Sequence, residues 1–135
     1  MQKSTGLILR RSLTFLFLAL FWLSTNANAE GKGGDEAYEA LEPFTVNLLG
    51  LRQVIQLSVT LKPAKPGMGD KIKLYKPAIR NEIILLLSGK TPEQLQTAEG
   101  KQKLIVEIRA AANKALGTNP KDGVAEALLE SIIIQ

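Results

Sequence analysis

The sequence predicts a single small α+β domain, with about three strands in one antiparallel sheet packed by two or three helices. Two adjacent runs of alternating apolar and polar residues come first. A central region follows in which apolar residues recur every three or four positions, and after it comes a β-branched run. Periods of two and of three to four are typical of strands and helices respectively. The order is therefore β-β-α-α-β, and the helices are expected to cover one face of the sheet.

The two alternating runs are predicted to form an antiparallel hairpin. Apolar residues occupy every second position in residues 42–49 and again in residues 53–61, on either side of Gly50. Strands of this kind bury one face and leave the other to water. The predicted buried face consists of Phe44, Val46, Leu48, Ile55, Leu57, Val59 and Leu61.

The first predicted helix covers residues 71–88. Asp70 precedes it and is expected to accept hydrogen bonds from its free N–H groups. Pro77 lies inside this range and lacks a backbone donor, which predicts a kink or a new start there. Gly89 is expected to end the helix.

Two further helices and a strand are predicted after residue 90. Thr91 and Thr97 are expected to cap a short helix and a longer one over residues 98–116. Gly117 stands where a left-handed residue usually ends a helix. The three isoleucines at 132–134 favour a last strand.

The N-terminal segment has the three parts of an export signal. A basic start is followed by the apolar residues 12–23 and by the small-residue site Ala27-Asn28-Ala29. A spanning helix needs roughly 20 apolar residues, and this run is shorter. We therefore expect a cleavable signal peptide over residues 1–29 and a periplasmic domain. A retained anchor in the inner membrane is the alternative.

After the signal, a flexible leader is predicted over residues 30–41, followed by the folded domain over residues 42–135. The leader begins with a polar, glycine-rich stretch. The chain has no cysteine, so no disulfide is expected, although an exported protein can form one.

Composition excludes several classes of function. The net charge is +4, but Lys3, Arg10 and Arg11 fall in the signal, which leaves about +1 for the rest of the chain. Such a chain has no electrostatic basis for binding nucleic acid. The absence of histidine and cysteine removes the commonest general base, metal ligands and thiol nucleophile. We expect no catalytic residue, no cofactor and no metal.

Four residues are candidates for structural or interface roles. Arg80 lies beside the apolar stripe of the first predicted helix, with Glu82 nearby. Two alternatives stand for it: an ion pair that anchors the helix, or an exposed charge. Asn47 and Asn113 are unusual inside a strand and a helix, and each is expected to make a structural hydrogen bond, with ligand binding as the alternative. Phe44 belongs to the stretch at residues 41–48, which is described below.

A group of lysines surrounds the loop at residues 62–69. If these side chains are unpaired, the domain has a surface for anionic lipid or cell-wall polymer. This is the alternative to a protein-interaction role, and ordinary solvation is the simpler interpretation. The cluster consists of Lys62, Lys65, Lys71, Lys73 and Lys76.

Three stretches of the chain form recognisable motifs. They are Tyr38 with Leu-Glu-Pro-Phe-Thr-Val-Asn-Leu at 41–48, Pro-Ala-Ile-Arg-Asn-Glu followed by Ile-Ile-Leu-Leu-Leu-Ser at 77–88, and the segment from Thr91 to Leu104. Together they resemble the FliL family, the flagellar basal body-associated proteins. Glu107 and Asn113 follow in the same order. The match covers nearly all of the predicted domain.

The resemblance implies a fold similar to stomatin-like (SPFH) domains and a non-enzymatic role in the flagellar motor. It implies flagellar stator and basal-body proteins as partners, and association of copies of the chain into a ring. Family members usually keep a transmembrane helix at the N-terminus. The expected signal peptide departs from that pattern, which leaves only peripheral inner-membrane association or protein contacts to hold the domain in place.

Overall fold

The computed structural model of the chain describes residues 37–135, so the predicted signal peptide over residues 1–29 lies outside the described residues. The strands are β1 (Glu39–Ala40), β2 (Phe44–Asn47), β3 (Val54–Pro63) and β4 (Val124–Ile134). The helices are α1 (Met68–Leu74), α2 (Lys76–Ser88), α3 (Pro92–Gln96) and α4 (Ala98–Leu116). This confirms the predicted α+β class, while the likeness to SPFH domains stays a prediction.

The sheet is built around β3. On one side β3 pairs with β1 and β2, which are successive pieces of the same edge, and on the other side it pairs with β4. Every pairing is antiparallel. Since β2 and β4 each run antiparallel to β3, they run parallel to one another. The predicted β2–β3 hairpin is confirmed.

The apolar face of the sheet and the helices enclose the core. All seven residues of the predicted face are buried. From the helix side, α2 contributes Ile79, Ile83 and Leu87, and α4 contributes Leu104 and Ile108 among its buried residues. Complete burial of a side chain of this kind stabilises the fold by roughly 1.5–3 kcal/mol, so this layer dominates the stability of the domain.

The folded domain begins before residue 42. Glu39 and Ala40 form β1, in register with Leu61 and Thr60, and the N–H of Leu41 donates to the carbonyl of Val59 at 2.9 Å. The Leu41 side chain is buried. Residues 39–41, assigned to the leader from sequence, therefore belong to the sheet. Pro43 obscured this, because it interrupts the alternation between β1 and β2.

The first helical region is divided near Pro77, as predicted. Tyr75 separates α1 from α2, and the proline occupies the first turn of α2, where its missing N–H is not needed. The predicted cap at Asp70 was wrong. The left-handed Gly67 (φ 85°) precedes α1 instead, and Asp70 lies inside the first turn, where its carboxylate favours the helix dipole.

The predicted caps of α3 and α4 are confirmed. The Thr91 hydroxyl accepts from the N–H of Gln94, and the Gln94 side chain accepts from the N–H of Thr91. The Thr97 hydroxyl accepts from the N–H of Gly100 at 2.9 Å, and α4 ends at the left-handed Gly117. Among residues 37–135, no helix combines the length and apolar character needed to cross a membrane.

Candidate interaction surface at the β2 edge

Asn113 joins the end of α4 to the start of β4. Its amide nitrogen donates to the Val124 carbonyl at 3.0 Å, and its amide oxygen accepts from the Val124 N–H at 2.8 Å. The side chain is buried. A Cβ on Gly123 would come within 2.3 Å of the same amide oxygen, so this approach requires glycine. All of the polar atoms of the Asn113 side chain are used internally, which favours a structural role over ligand binding.

Arg80 connects α2 to the edge of the sheet. Its guanidinium carbon lies 4.4 Å from the centre of the Phe44 ring, and its Nη1 donates to the Glu42 carbonyl. A cation over an aromatic face is attractive at this distance. The ion pair with Glu82 considered from sequence is not formed, because Glu82 pairs with Lys114 at 2.9 Å.

Phe44 is a core residue, 1% exposed, and it presents one ring face to Arg80. Phe44 and Arg80, two of the four candidates, are therefore in direct contact. The stretch at residues 41–48 and the stretch at residues 77–88, two of the three that resemble the FliL family, meet at this point. The arrangement fixes the direction of the chain between β1 and β2.

Asn47 is exposed on the open face of the sheet, at the end of β2. It pairs in register with Val54. The structural hydrogen bond predicted for its side chain is not among those of the described residues. Asn47 instead lines a groove that runs along this edge of the sheet.

The groove lies between β2, the turn that follows it, and α2. It has a volume of about 730 Å³ and is lined by residues 45–51 together with Ile84 and Ser88. Three of its large apolar side chains are exposed: Leu49 by 58%, Leu51 by 80% and Ile84 by 38%. Adjacent exposed apolar groups of this kind mark interaction sites more often than single ones do.

Leu51 has an unusual backbone. Its φ is 60°, in the left-handed region that non-glycine residues seldom adopt, at a cost of order 1 kcal/mol or more. A strained backbone that presents an apolar side chain to solvent is typical of binding surfaces. Sequence reasoning missed Leu49, Leu51 and Ile84 because leucine and isoleucine in a turn and on a helix suggest core packing. The only sequence signal was Leu51 directly after Gly50.

The lysine cluster is largely paired with acids. Lys62 lies 3.7 Å from Glu126, Lys73 lies 3.3 Å from Glu39, and Lys65 pairs with Asp122. These contacts reduce the positive charge available to an anionic surface.

The acidic side chains form ion pairs of the ordinary kind. The hydrogen bond from Lys65, and then the one from Asn119, holds the pKa of the Asp122 carboxyl below its usual value. Glu107 of α4 pairs with Lys90, in the loop between α2 and α3, at 2.5 Å. Within the part of the chain that the structure describes, no group of three histidine, cysteine or acidic residues is placed to hold a metal ion.

Comparison with known proteins identifies the family. A sequence model described as "Flagellar basal body-associated protein FliL" matches residues 38–135, which is the whole β1–β4 domain. The chain belongs to the FliL family. It is thus a relative of flagellar basal body-associated proteins, and the family description names an assembly and no reaction.

Curated relatives carry the same name. "Flagellar protein FliL" of Escherichia coli strain K12 is 29% identical over 121 residues, covering 85% of this chain and 79% of the relative. The FliL protein of Aquifex aeolicus is 29% identical over 100 residues, covering 73% of this chain and 60% of the relative. The β2 edge, the Arg80–Phe44 contact and the Asn113 bridge all lie inside the segment that the FliL family model matches.

Proposed function

We propose that this chain is a non-enzymatic periplasmic component of the flagellar basal body, which supports the stator units in motility through protein–protein contacts. The observation that carries the proposal is the FliL match over the complete described domain, residues 38–135. The proposal includes cleavage of residues 1–29 and association of several copies of the domain.

The surface of the domain supports a role in contacts. Leu49, Leu51 and Ile84 are exposed around the β2 edge, whereas Glu82 and Glu107 are paired with lysines. The interior polar groups at Asn113 and Val124 satisfy one another. A rigid scaffold with an apolar groove at one edge suits the binding of another polypeptide.

In-cell cross-linking tests this proposal. The full chain carries a C-terminal tag and is expressed in its native host, cells are treated with a cross-linker, and basal bodies are purified for mass spectrometry. We expect stator or basal-body proteins cross-linked to the tagged chain, and an N-terminal peptide that begins near Glu30. A chain found only free in the periplasm would contradict the functional proposal, and an intact N-terminus would contradict cleavage alone.

A control separates specific from general capture. Val106 is 53% exposed on α4, away from the β2 groove, and Val106→Glu adds a charge there. This variant should enter basal bodies as the unmodified chain does. The variant to compare is Ile84→Glu, which places a charge in the groove. If recovery of Val106→Glu fell as far as recovery of Ile84→Glu, the groove would have no special part in the association.

A further inference from the structure

The sheet has two open edges, one at β2 and one at β4. In the described residues 37–135, no further strand pairs with the outer side of either. In an antiparallel pair, alternate residues direct their N–H and C=O groups to the partner strand. The Leu48 N–H donates to the Gln53 carbonyl at 2.9 Å, so Leu48 and Val46 face β3. Thr45 and Asn47 therefore direct their backbone groups outward.

The same reasoning applies to β4. Val54 and Gln135 exchange both backbone hydrogen bonds, at 2.8 and 3.1 Å, so Ile133 faces β3 and Ile132 and Ile134 direct their backbone groups outward. Toward the start of the strand, Arg109 donates to the Ala125 carbonyl at 3.3 Å. The isoleucine end is thus the open part of this edge.

The two open segments lie level with each other across the sheet. Val46 pairs with Ile55, and Ile55 pairs with Ile134. Likewise Thr45 and Ile133 both pair with Gln56. Since β2 and β4 run parallel, a second copy placed beside the first in the same orientation would bring its β2 against β4 of the first.

The side chains agree with this placement. Ile132 and Ile134 are half-buried on the face of the sheet that the helices cover, and Val46, Leu48 and Ile84 line the β2 groove from that same face. Ile133 is 50% exposed on the opposite face, where Thr45 also lies. The Ile132–Ile134 segment of one copy therefore faces the β2 groove of the next copy, which is lined by Leu49, Leu51 and Ile84.

We propose that copies of this chain associate head to tail, with the Ile132–Ile134 segment of β4 in one copy adding a parallel strand to β2 of the next. The proposal rests on the self-association included in the proposed function and specifies its interface. Each copy would use two different surfaces, so the arrangement repeats and closes into a ring if its rotation permits. The pairing would also cover an apolar edge that otherwise invites aggregation.

Single-cysteine variants test the interface, because the natural chain contains no cysteine. Full-length Thr45→Cys and full-length Ile133→Cys carry different tags and are expressed separately and together, with a mild thiol oxidant added to the cells. A head-to-tail contact predicts a disulfide-linked dimer only when the two variants are coexpressed. Each variant alone should stay monomeric on non-reducing gels, since Thr45 would not meet Thr45.

Three further substitutions show whether the edge and the groove cause the contact. Thr45→Pro removes an outward N–H that β3 does not use. Its effect is measured with Asn47→Cys and Gln135→Cys, whose positions both pair with Val54, and it should reduce their mixed dimer several-fold. Ile84→Glu should do the same by placing a charge in the groove, even if the proline variant folds poorly. Val106→Glu should leave the yield unchanged.

Two results would overturn the interface. One is the absence of a mixed dimer from coexpressed Thr45→Cys and Ile133→Cys. The other is an equal yield from either variant alone, which would indicate a two-fold contact. Basal-body recovery is measured in parallel. A chain that enters basal bodies without the mixed dimer would leave the proposed function standing and remove only this interface.

Discussion

At the scale of single residues, Asn113 and Arg80 each fix a distant backbone segment. Asn113 satisfies both backbone groups of Val124, a residue that is completely buried. Arg80 holds the Glu42 carbonyl and covers the Phe44 ring. Polar side chains used in this way stabilise one chain path among several, because the backbone groups they bind would otherwise be buried without partners.

Asn113→Ala should lower the free energy of unfolding by about 2–4 kcal/mol, because it leaves a buried N–H and a buried C=O without partners. Urea unfolding followed by circular dichroism measures the change. The matched control is Asn81→Ala in α2, where the asparagine is exposed and the change should stay within about 0.5 kcal/mol. Equal effects of the two variants would show that the Asn113 bridge adds no stability.

Lys65→Met should raise the pKa of Asp122 toward its usual value, because the Lys65 hydrogen bond is the largest cause of its lowering. An NMR titration of the carboxyl carbon measures the pKa. The sign for stability follows: a lowered pKa in the folded chain contributes stability above the unfolded value of 3.8, which is lost as the pH falls below it. An Asp122 pKa that did not move would assign the lowering to Asn119 instead.

At the scale of elements, caps and close approaches decide where helices begin and end. Thr91, Thr97 and Gly117 do this through local hydrogen bonds and backbone conformation. The junction between α3 and α4 adds a packing requirement, because the Gly100 backbone lies against the Gln94 carbonyl. Two consecutive helices meet here without a loop between them.

Gly100→Ala should destabilise the domain by more than about 1 kcal/mol, since the added Cβ would lie 1.8 Å from the Gln94 carbonyl oxygen and the junction must shift. Thermal unfolding measures this. Gly89→Ala is the control: its nearest neighbours would be 3.7 Å away and its φ is −91°, so the change should be neutral or stabilising by up to about 1 kcal/mol. A stable Gly100→Ala variant would show that α3 can move freely.

At the scale of the whole molecule, the distribution of charge and apolar surface separates two kinds of partner. Three of the five lysines near the loop after β3 are paired with acids, which disfavours an anionic lipid or polymer surface there. Apolar side chains at the β2 edge remain exposed, which favours contact with protein. The two surfaces predict different responses to salt.

The lysine cluster should add little to the salt-sensitive binding of the full chain to anionic vesicles, because Lys62, Lys65 and Lys73 are paired. Asp122→Asn combined with Glu126→Gln frees Lys65 and Lys62 and should increase that contribution. Co-sedimentation at low and high salt measures both chains, and their difference isolates the cluster because the rest of the chain is identical. Equally strong salt-sensitive binding by the two chains would show that the ion pairs do not mask the lysines, which would restore the lipid hypothesis.

Local pattern was enough to determine most of the elements of this protein. Alternation in residues 53–61 predicts β3, and the caps Thr91, Thr97 and Gly117 predict the helix limits, because strand pleat, helix period and capping act over a few neighbouring residues. The FliL resemblance followed from the same short stretches. Asp70 failed as a cap because Gly67, three residues earlier, adopts the left-handed conformation at the start of α1.

Tertiary structure decided everything that depends on residues far apart in sequence. The inclusion of Glu39–Ala40 in the sheet, the Arg80–Phe44 contact and the partner of Glu82 each require knowledge of which segments meet. The exposure of Ile84 likewise depends on what α2 packs against. Sequence by itself determines the period of the longer elements and the ends that local caps mark. Only the packed chain determines which apolar side chains stay exposed at the β2 edge, because that depends on which residues the other elements cover.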